Sequence, residues 1–242
     1  MSQRFLKDEI ELLYAASNKL TQASTPAESL EAVSDYTRDN GATRGLLLYT
    51  DNPLQPEALE VVSEWVKGKS LAFGVGTQFP IPRSLWKRML NSAADRPILL
   101  PDTTVSEQIE DEYRATFEEY DLRGIAILPL HINDRWVGML IFGWPRAYLF
   151  DEHEQRIMTA LIQQSSPVID SMRLFEQVQR RASDLEVAKN EIDILYSVSN
   201  ALTRAQNHDE LLAAVSTYAR DSGASSGLLF FTEGNDTAPT AL

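Results

Sequence analysis

Three histidines, 35 carboxylates and no cysteine set the chemistry open to this chain of 242 residues. Without a thiol there can be no disulfide, no thiolate metal site and no cysteine nucleophile. His131 follows the apolar run 124–130 and reads as a strand-end histidine. His153 lies in Asp151-Glu152-His153-Glu154, where the acids suit the positive end of a helix and the second histidine of a zinc motif is missing. His208 is a helix-start residue. The acids Glu110, Asp111, Glu112, Glu118 and Glu119 fall on the outer side of one helix, a solvated face rather than a catalytic dyad. Gly74-x-Gly76 begins a phosphate-loop pattern, but Phe79 stands where the next glycine belongs, and no strand-to-helix switch frames it. No serine has histidine and aspartate in a recognisable triad context. These residues predict a protein that is not an enzyme and holds no metal.

Composition narrows the partners. The chain is 43% hydrophobic and 24% charged with a formal charge of -13, the balance of a globular protein with ample material for a core. That acidity argues against nucleic acid and against an anionic membrane surface, both of which select clustered Lys and Arg. No apolar run approaches the roughly 20 residues that a membrane helix needs. The amino terminus is charged and amphipathic rather than a secretory signal. A cytoplasmic protein is expected.

The elements that must position any site are set by an internal repeat. Residues 9–52 align without a gap onto 191–234, at a constant offset of 182, with 23 identities in 44 positions; background composition would give about 3. The matches include Ile10/Ile192, Leu13/Leu195, Tyr14/Tyr196, Leu20/Leu202, Leu30/Leu212 and Val33/Val215. A repeat sets the units of the fold. It predicts one complete unit of about 180 residues followed by the first quarter of another, with the gene product continuing beyond Leu242. The expected layout is an amino-terminal seam helix over 1–24, a domain over 25–166, a linker helix over 167–206, and the truncated start of a second domain over 207–242.

Periodicity supplies the elements. Leu6, Ile10, Leu13, Ser17 and Leu20 form one stripe of a helix over 3–22. Thr25-Pro26-Ala27-Glu28 is a helix start, with Thr as cap, Pro in the first turn and an acid after it. That helix carries Leu30, Val33 and Tyr36 inward and stops near Asn40-Gly41. Strands are predicted over 44–50, 58–66, 70–73 and 97–100, then a hairpin of 124–131 and 136–144. The second strand is expected to pair with 70–73. Short helices are predicted over 83–92 and 107–120. From residue 151 a helical pattern runs to about 206, with a kink at Pro167, where the ring removes a backbone donor. Beyond it Leu174, Val178, Arg181, Leu185, Ala188, Ile192, Leu195, Ser199 and Leu202 alternate by four and three, a coiled-coil seam. The order is that of an α+β protein with helices layered on a largely antiparallel sheet. The fragment at the end cannot bury its own face, so Leu211, Leu212, Val215, Leu228 and Phe230 are expected to be poorly ordered or docked on another surface.

Several of these segments together resemble the GAF domain family. The residues that carry the likeness are Leu99-Leu100-Pro101-Asp102, Pro129-Leu130 before a turn, Gly138-Met139-Leu140-Ile141-Phe142-Gly143 after it, Phe150-Asp151-Glu152, the apolar helix 157–169, and Met172-Arg173-Leu174-Phe175-Glu176. The resemblance covers about 10–180 and then restarts, as in a tandem GAF protein. It implies a central antiparallel sheet of about six strands, helices on one face, a small-molecule pocket on the other, and a long kinked carboxy-terminal signalling helix. Such domains sit upstream of histidine kinases and the rest of two-component systems, or of cyclases, phosphatases or transcription regulators. Helices at their ends commonly form a parallel dimer.

The family also defines what is missing. Covalent bilin attachment usually takes a cysteine, as does methionine-sulfoxide reduction, and neither is available here. Asn133-Asp134 replaces the Asn-Lys pair of cyclic-nucleotide binders, and Phe150 abuts Asp151 directly where that pattern spaces them. Haem sensors of the family use a histidine, and His131 at a strand end is the one that can reach from the pocket side. In this fold Phe73, Phe79, Trp86, Leu99, Phe117, Ile127 and Pro129 come from the elements that frame the cavity, with Asp102, Thr103 and Arg123 as polar anchors. The same apolar residues equally suit a packed core. The expected seam of a homodimer is Leu174, Val178, Leu185, Ala188, Ile192, Leu195 and Leu202. The expectation is a sensory module that binds a small molecule non-covalently, needs no resident cofactor, and signals through that helix to an effector. The alternative is a ligand-free dimerisation scaffold.

Overall fold

The computed structural model describes residues 2–68, 71–81, 96–107, 109, 111–133 and 135–221. The helix expected over 83–92, with Trp86, and the repeat's strand, with Leu228 and Phe230, lie outside them. The chain divides into two units, Met1–Glu176 and Gln177–Leu242.

The first unit opens with α1 (Ser2–Gln22) and α2 (Pro26–Asp39). The start of α2 is fixed by a reciprocal cap. Thr25 Oγ1 accepts from the Glu28 N–H at 3.2 Å, and Glu28 Oε2 accepts from the Ser24 N–H at 2.7 Å, so two otherwise unpaired donors are satisfied. Gly41 follows with φ of 87°, a left-handed turn that only glycine adopts without strain. Leu30 and Val33 are buried, as the stripe predicts.

Six strands follow: β1 (Arg44–Thr50), β2 (Ala58–Val66), β3 (Gln78–Pro80), β4 (Ile98–Leu100), β5 (Gly124–Ile132) and β6 (Arg135–Trp144), with α3 (Asp111–Glu119) between β4 and β5. They form one sheet in the order β3-β2-β1-β6-β5-β4, every pair antiparallel. Both faces of β1 are covered, and all seven of its residues are buried. On one face Leu47, Ala126, Leu128, Leu140 and Phe142 pack with Leu20 and Leu30 of the two helices and with Ile157, Met158, Leu161, Ile162 and Ile169 of α4 (Glu152–Arg204). The fold is the expected α+β arrangement: a six-stranded antiparallel sheet with helices and a long helix at its carboxy-terminal end.

Three local expectations differ from the structure. The partner of β2 is β3, not 70–73. Residues 71–74 fail to join the sheet because buried side chains take their backbone groups. Leu71 O accepts from Arg44, and the N–H groups of Phe73 and Gly74 donate to Glu64 at 3.1 and 3.0 Å. Secondly, of the helix expected over 107–120 the described residues show α3, residues 108 and 110 lie outside them, and Arg114 holds carbonyls of the described backbone before it. Its guanidinium donates to the carbonyls of Thr103 and Thr104 at 2.9 Å, of Ser106 at 2.8 Å and of Ile109 at 3.3 Å. Thirdly, the α1 stripe splits: Leu20 and Ala16 are buried in their own domain, while Ile10 is exposed.

The long helix α4 has 53 residues and runs unbroken through Pro167. Its first part belongs to the core of the first unit, with Ile157, Met158, Leu161 and Ile162 buried. In the second unit its apolar positions Val178, Leu185, Ile192, Leu195 and Leu202 are exposed, and so is Ala188. α5 (His208–Asp221) follows, and its bounds are those of α2 moved by the repeat offset. Its cap repeats too: Asn207 Oδ1 accepts from the Glu210 N–H at 2.9 Å, and Glu210 Oε2 accepts from the Gln206 N–H at 2.8 Å.

Candidate functional site

The second face of the sheet, away from α1 and α2, is where the expected site residues fall. Alternation along each strand turns Leu46, Leu48, Val61, Ile125, Ile127 and Met139 to this side, in one buried cluster with Trp136, Leu122 and Ile109. Phe73, Phe79 and Phe117 pack onto it. Pro129 is buried two residues beyond Ile127 on β5, so it shares that face. Leu99 does not: it pairs with Ala126 and packs with the helix-side cluster, while Ile98 and Leu100 take the second face. Five of the expected residues are therefore brought together, and Leu99 is excluded by strand parity.

The polar anchors are committed to one another. Arg123 Nη2 donates to Asp102 Oδ2 at 3.0 Å. With the Thr104 hydroxyl and N–H adding two more bonds, at 2.6 and 3.0 Å, the Asp102 carboxyl is pushed down to about 2. Thr103 is buried, and its hydroxyl donates to Leu122 O at 2.8 Å. Those groups close the loop after β4.

A charged centre lies under the aromatics that sequence reasoning did not single out. The side chains of Arg44 on β1 and Glu64 on β2 form a buried ion pair. Burial pushes the Arg44 guanidinium down from its usual value, and Glu64 opposes that. The guanidinium sits 5.0 Å from the Phe73 ring centre and 5.3 Å from that of Tyr120, distances at which an aromatic face attracts a cation. Phe73 and Tyr120 stack at 3.8 Å, and Phe79 meets Phe73 edge-on at 5.4 Å. The only signal in the sequence was an arginine opening an otherwise apolar strand, and its counterpart in the repeat is Ser226.

This network also decides the glycine loop. Gly74 and Gly76 take positive φ of 87° and 90°. Their N–H groups donate to Glu64 and, at 2.8 Å, to Val61 O, so neither is free to cradle a phosphate. His131 is half-buried at the end of β5, opposite Trp136. His153 lies on α4 with Nδ1 3.3 Å from Glu9 Oε2. Among the described residues, no three His, Cys, Asp or Glu side chains are placed to hold a metal ion, and no helix is long and apolar enough to cross a membrane. A groove of about 480 Å³ lies away from the aromatics, between Arg96-Pro97 and the flank of α4 at Gln155, Arg156, Thr159 and Gln163.

Known structures share this architecture. The phycocyanobilin-bound GAF domain of a cyanobacterial phytochrome superposes with a TM-score of 0.56 at 14% identity, covering 69% of this chain and 96% of that one. The phycoerythrobilin-bound GAF domain of a cyanobacterial phytochrome gives 0.54 at 13%, over 69% and 97%. The chromophore-binding domain of the bacteriophytochrome RpBphP3 from R. palustris gives 0.57 at 11%, over 72% and 64%. At these identities the likeness is one of fold. No curated protein matches the chain. A bilin attached through a cysteine does not fit this chain, which has no thiol. The GAF domain profile matches residues 27–169, more than half of the 242, and the chain belongs to the GAF domain family.

Proposed function

We propose that this protein is a non-enzymatic sensory module that binds a small molecule non-covalently on the second face of its sheet. It passes the state of that face through a dimeric α4 to an effector such as a histidine kinase. The carrying observation is that one helix, α4, is a core element of the first unit and continues into the second. Ile157, Met158, Leu161 and Ile162 are buried with the sheet, and the same helix continues to Arg204 with Val178, Leu185 and Ile192 exposed. A ligand acts on such a rod only by preferring one setting of it over another.

The residues proposed to meet the ligand are Phe73, Phe79, Phe117, Ile127 and Pro129, with Asp102, Thr103 and Arg123 at the rim. Among the described residues Phe73 comes from a loop and Phe117 from the short helix α3, elements that can rearrange at lower cost than a second sheet. The tandem reading, with a second GAF domain opening at 207, is supported by the recurrence of the α2 cap in α5. A cytoplasmic location fits the acidic charge of -13. The competing reading, a scaffold with no ligand, is favoured by one observation: the Phe73–Tyr120 stack already occupies the space above Arg44. Native mass spectrometry of the purified chain separates the two. A mass above the polypeptide that disappears on denaturation is expected, and a bare polypeptide mass after incubation with cell extract would favour the scaffold.

A further inference from the structure

The groove of about 480 Å³ beside α4 plays no part in the reading above, which puts its ligand on the second face of the sheet. One wall is Arg96-Pro97, the lead into β4 at the edge of the sheet. The other is α4, whose opposite side is buried in the helix-side core. Along α4, Glu152, Arg156, Thr159 and Gln163 line the groove at spacings of four, three and four, one stripe of a helix. The volume suits a small molecule. Apart from Pro97 and Ala160, every lining side chain is charged or can hydrogen-bond, so the matching ligand is polar.

Two cations of this groove are uncommitted. Arg96 and Arg156 come from different elements, and among the described residues neither guanidinium has a hydrogen bond or ion pair. Glu152 stands one turn before Arg156, the spacing at which an acid and a base on a helix pair, yet these two do not. By contrast Arg38, Arg44, Arg123 and Arg173 each hold a carboxylate, in a chain with 35 acids to 22 bases. Gln163 is uncommitted as well, whereas the Thr159 hydroxyl already donates to Gln155 O at 2.7 Å and is left as an acceptor. We infer that this groove binds a small phosphate ester. The planar forks of Arg96 and Arg156 match phosphate oxygens, and Gln163 and Thr159 meet the hydroxyls of the ester. Glu152 opposes a second negative charge, so the remainder of the ligand is neutral. Such a ligand touches both β4 and α4 and ties the long helix to the sheet edge, an input to α4 separate from the one on the second face.

Calorimetric titration of the whole chain at fixed ionic strength tests this, with inorganic phosphate and glycerol 3-phosphate as probes. Both are expected to bind, the ester more tightly. Arg96→Gln/Arg156→Gln is expected to weaken both by about tenfold or more, the scale of a hydrogen bond to a charged group. Glu152→Gln is expected to tighten both, and Gln163→Ala to weaken the ester alone. The two arginines are exposed, so their variant is expected to keep the wild-type circular dichroism and melting temperature. Equal affinity in wild type and the double arginine variant overturns the inference, as does the absence of binding at millimolar probe. Phosphate bound as tightly as the ester overturns the assignment of an ester. None of these residues lies on the second face, so none of these results bears on the ligand proposed there.

Discussion

Arg44 and Glu64 face each other from adjacent strands with side chains only 1% and 6% exposed, and between them they fix the loop at 71–74. Glu64 takes the N–H groups of Phe73 and Gly74, while Arg44 holds Leu71 O and lies under the stacked Phe73 and Tyr120. A pair this deep costs desolvation on both sides, so removing one member leaves the other charge stranded. Glu64→Ala is expected to lower stability by about 3–5 kcal/mol in urea denaturation. The double variant Arg44→Met/Glu64→Leu is expected to recover most of that loss. A single variant as stable as wild type would mean that the guanidinium reaches water.

Gly138 opens the tight approach of β6 to β1. A Cβ there would meet Leu48 O at 2.2 Å and its carbonyl carbon at 3.2 Å. The obstacle is backbone, which cannot swing aside as a side chain would. Gly138→Ala is expected to destabilise the domain by about 1–3 kcal/mol or more, the usual cost of overpacking. Thermal unfolding followed by circular dichroism checks it, and an unchanged midpoint would show that β6 has room to move.

Asp102 and Arg123 give the acid limb a local contribution. The carboxyl titrates lower in the folded chain, at about 2 against a usual 3.8, because Arg123 and Thr104 donate to its charged form. A depressed folded value stabilises the protein above the unfolded value and loses that contribution as pH falls through the folded one. The window therefore runs from near pH 4 down to about 2. Arg123→Ala is expected to raise the Asp102 midpoint towards its usual value in a carboxyl NMR titration. A midpoint that stays put would assign the shift to Thr104 instead.

Much of the architecture was legible in the chain. Thr25-Pro26-Ala27-Glu28 marked the start of α2, and Asn40-Gly41 marked its end, because caps and left-handed turns are local chemistry that few residues satisfy. The β5–β6 hairpin was legible in its long apolar runs. Strand parity was not legible for β4, where three residues are too short a run to say which side Leu99 takes.

What the sequence by itself determined is therefore most of the larger elements, the repeat, the family likeness and the absence of thiol chemistry. These rest on local propensity and on order along the chain. The tertiary structure alone decided which long-range partners claim each backbone group. It gave residues 71–74 to Arg44 and Glu64 instead of β2 and tied the carbonyls of Thr103, Thr104, Ser106 and Ile109 to Arg114. It also separated Ile10 and Tyr14 from Leu13 and Leu20, although all four suit a helical stripe. A side chain's burial depends on what the rest of the chain folds against it, and no spacing in the sequence encodes that.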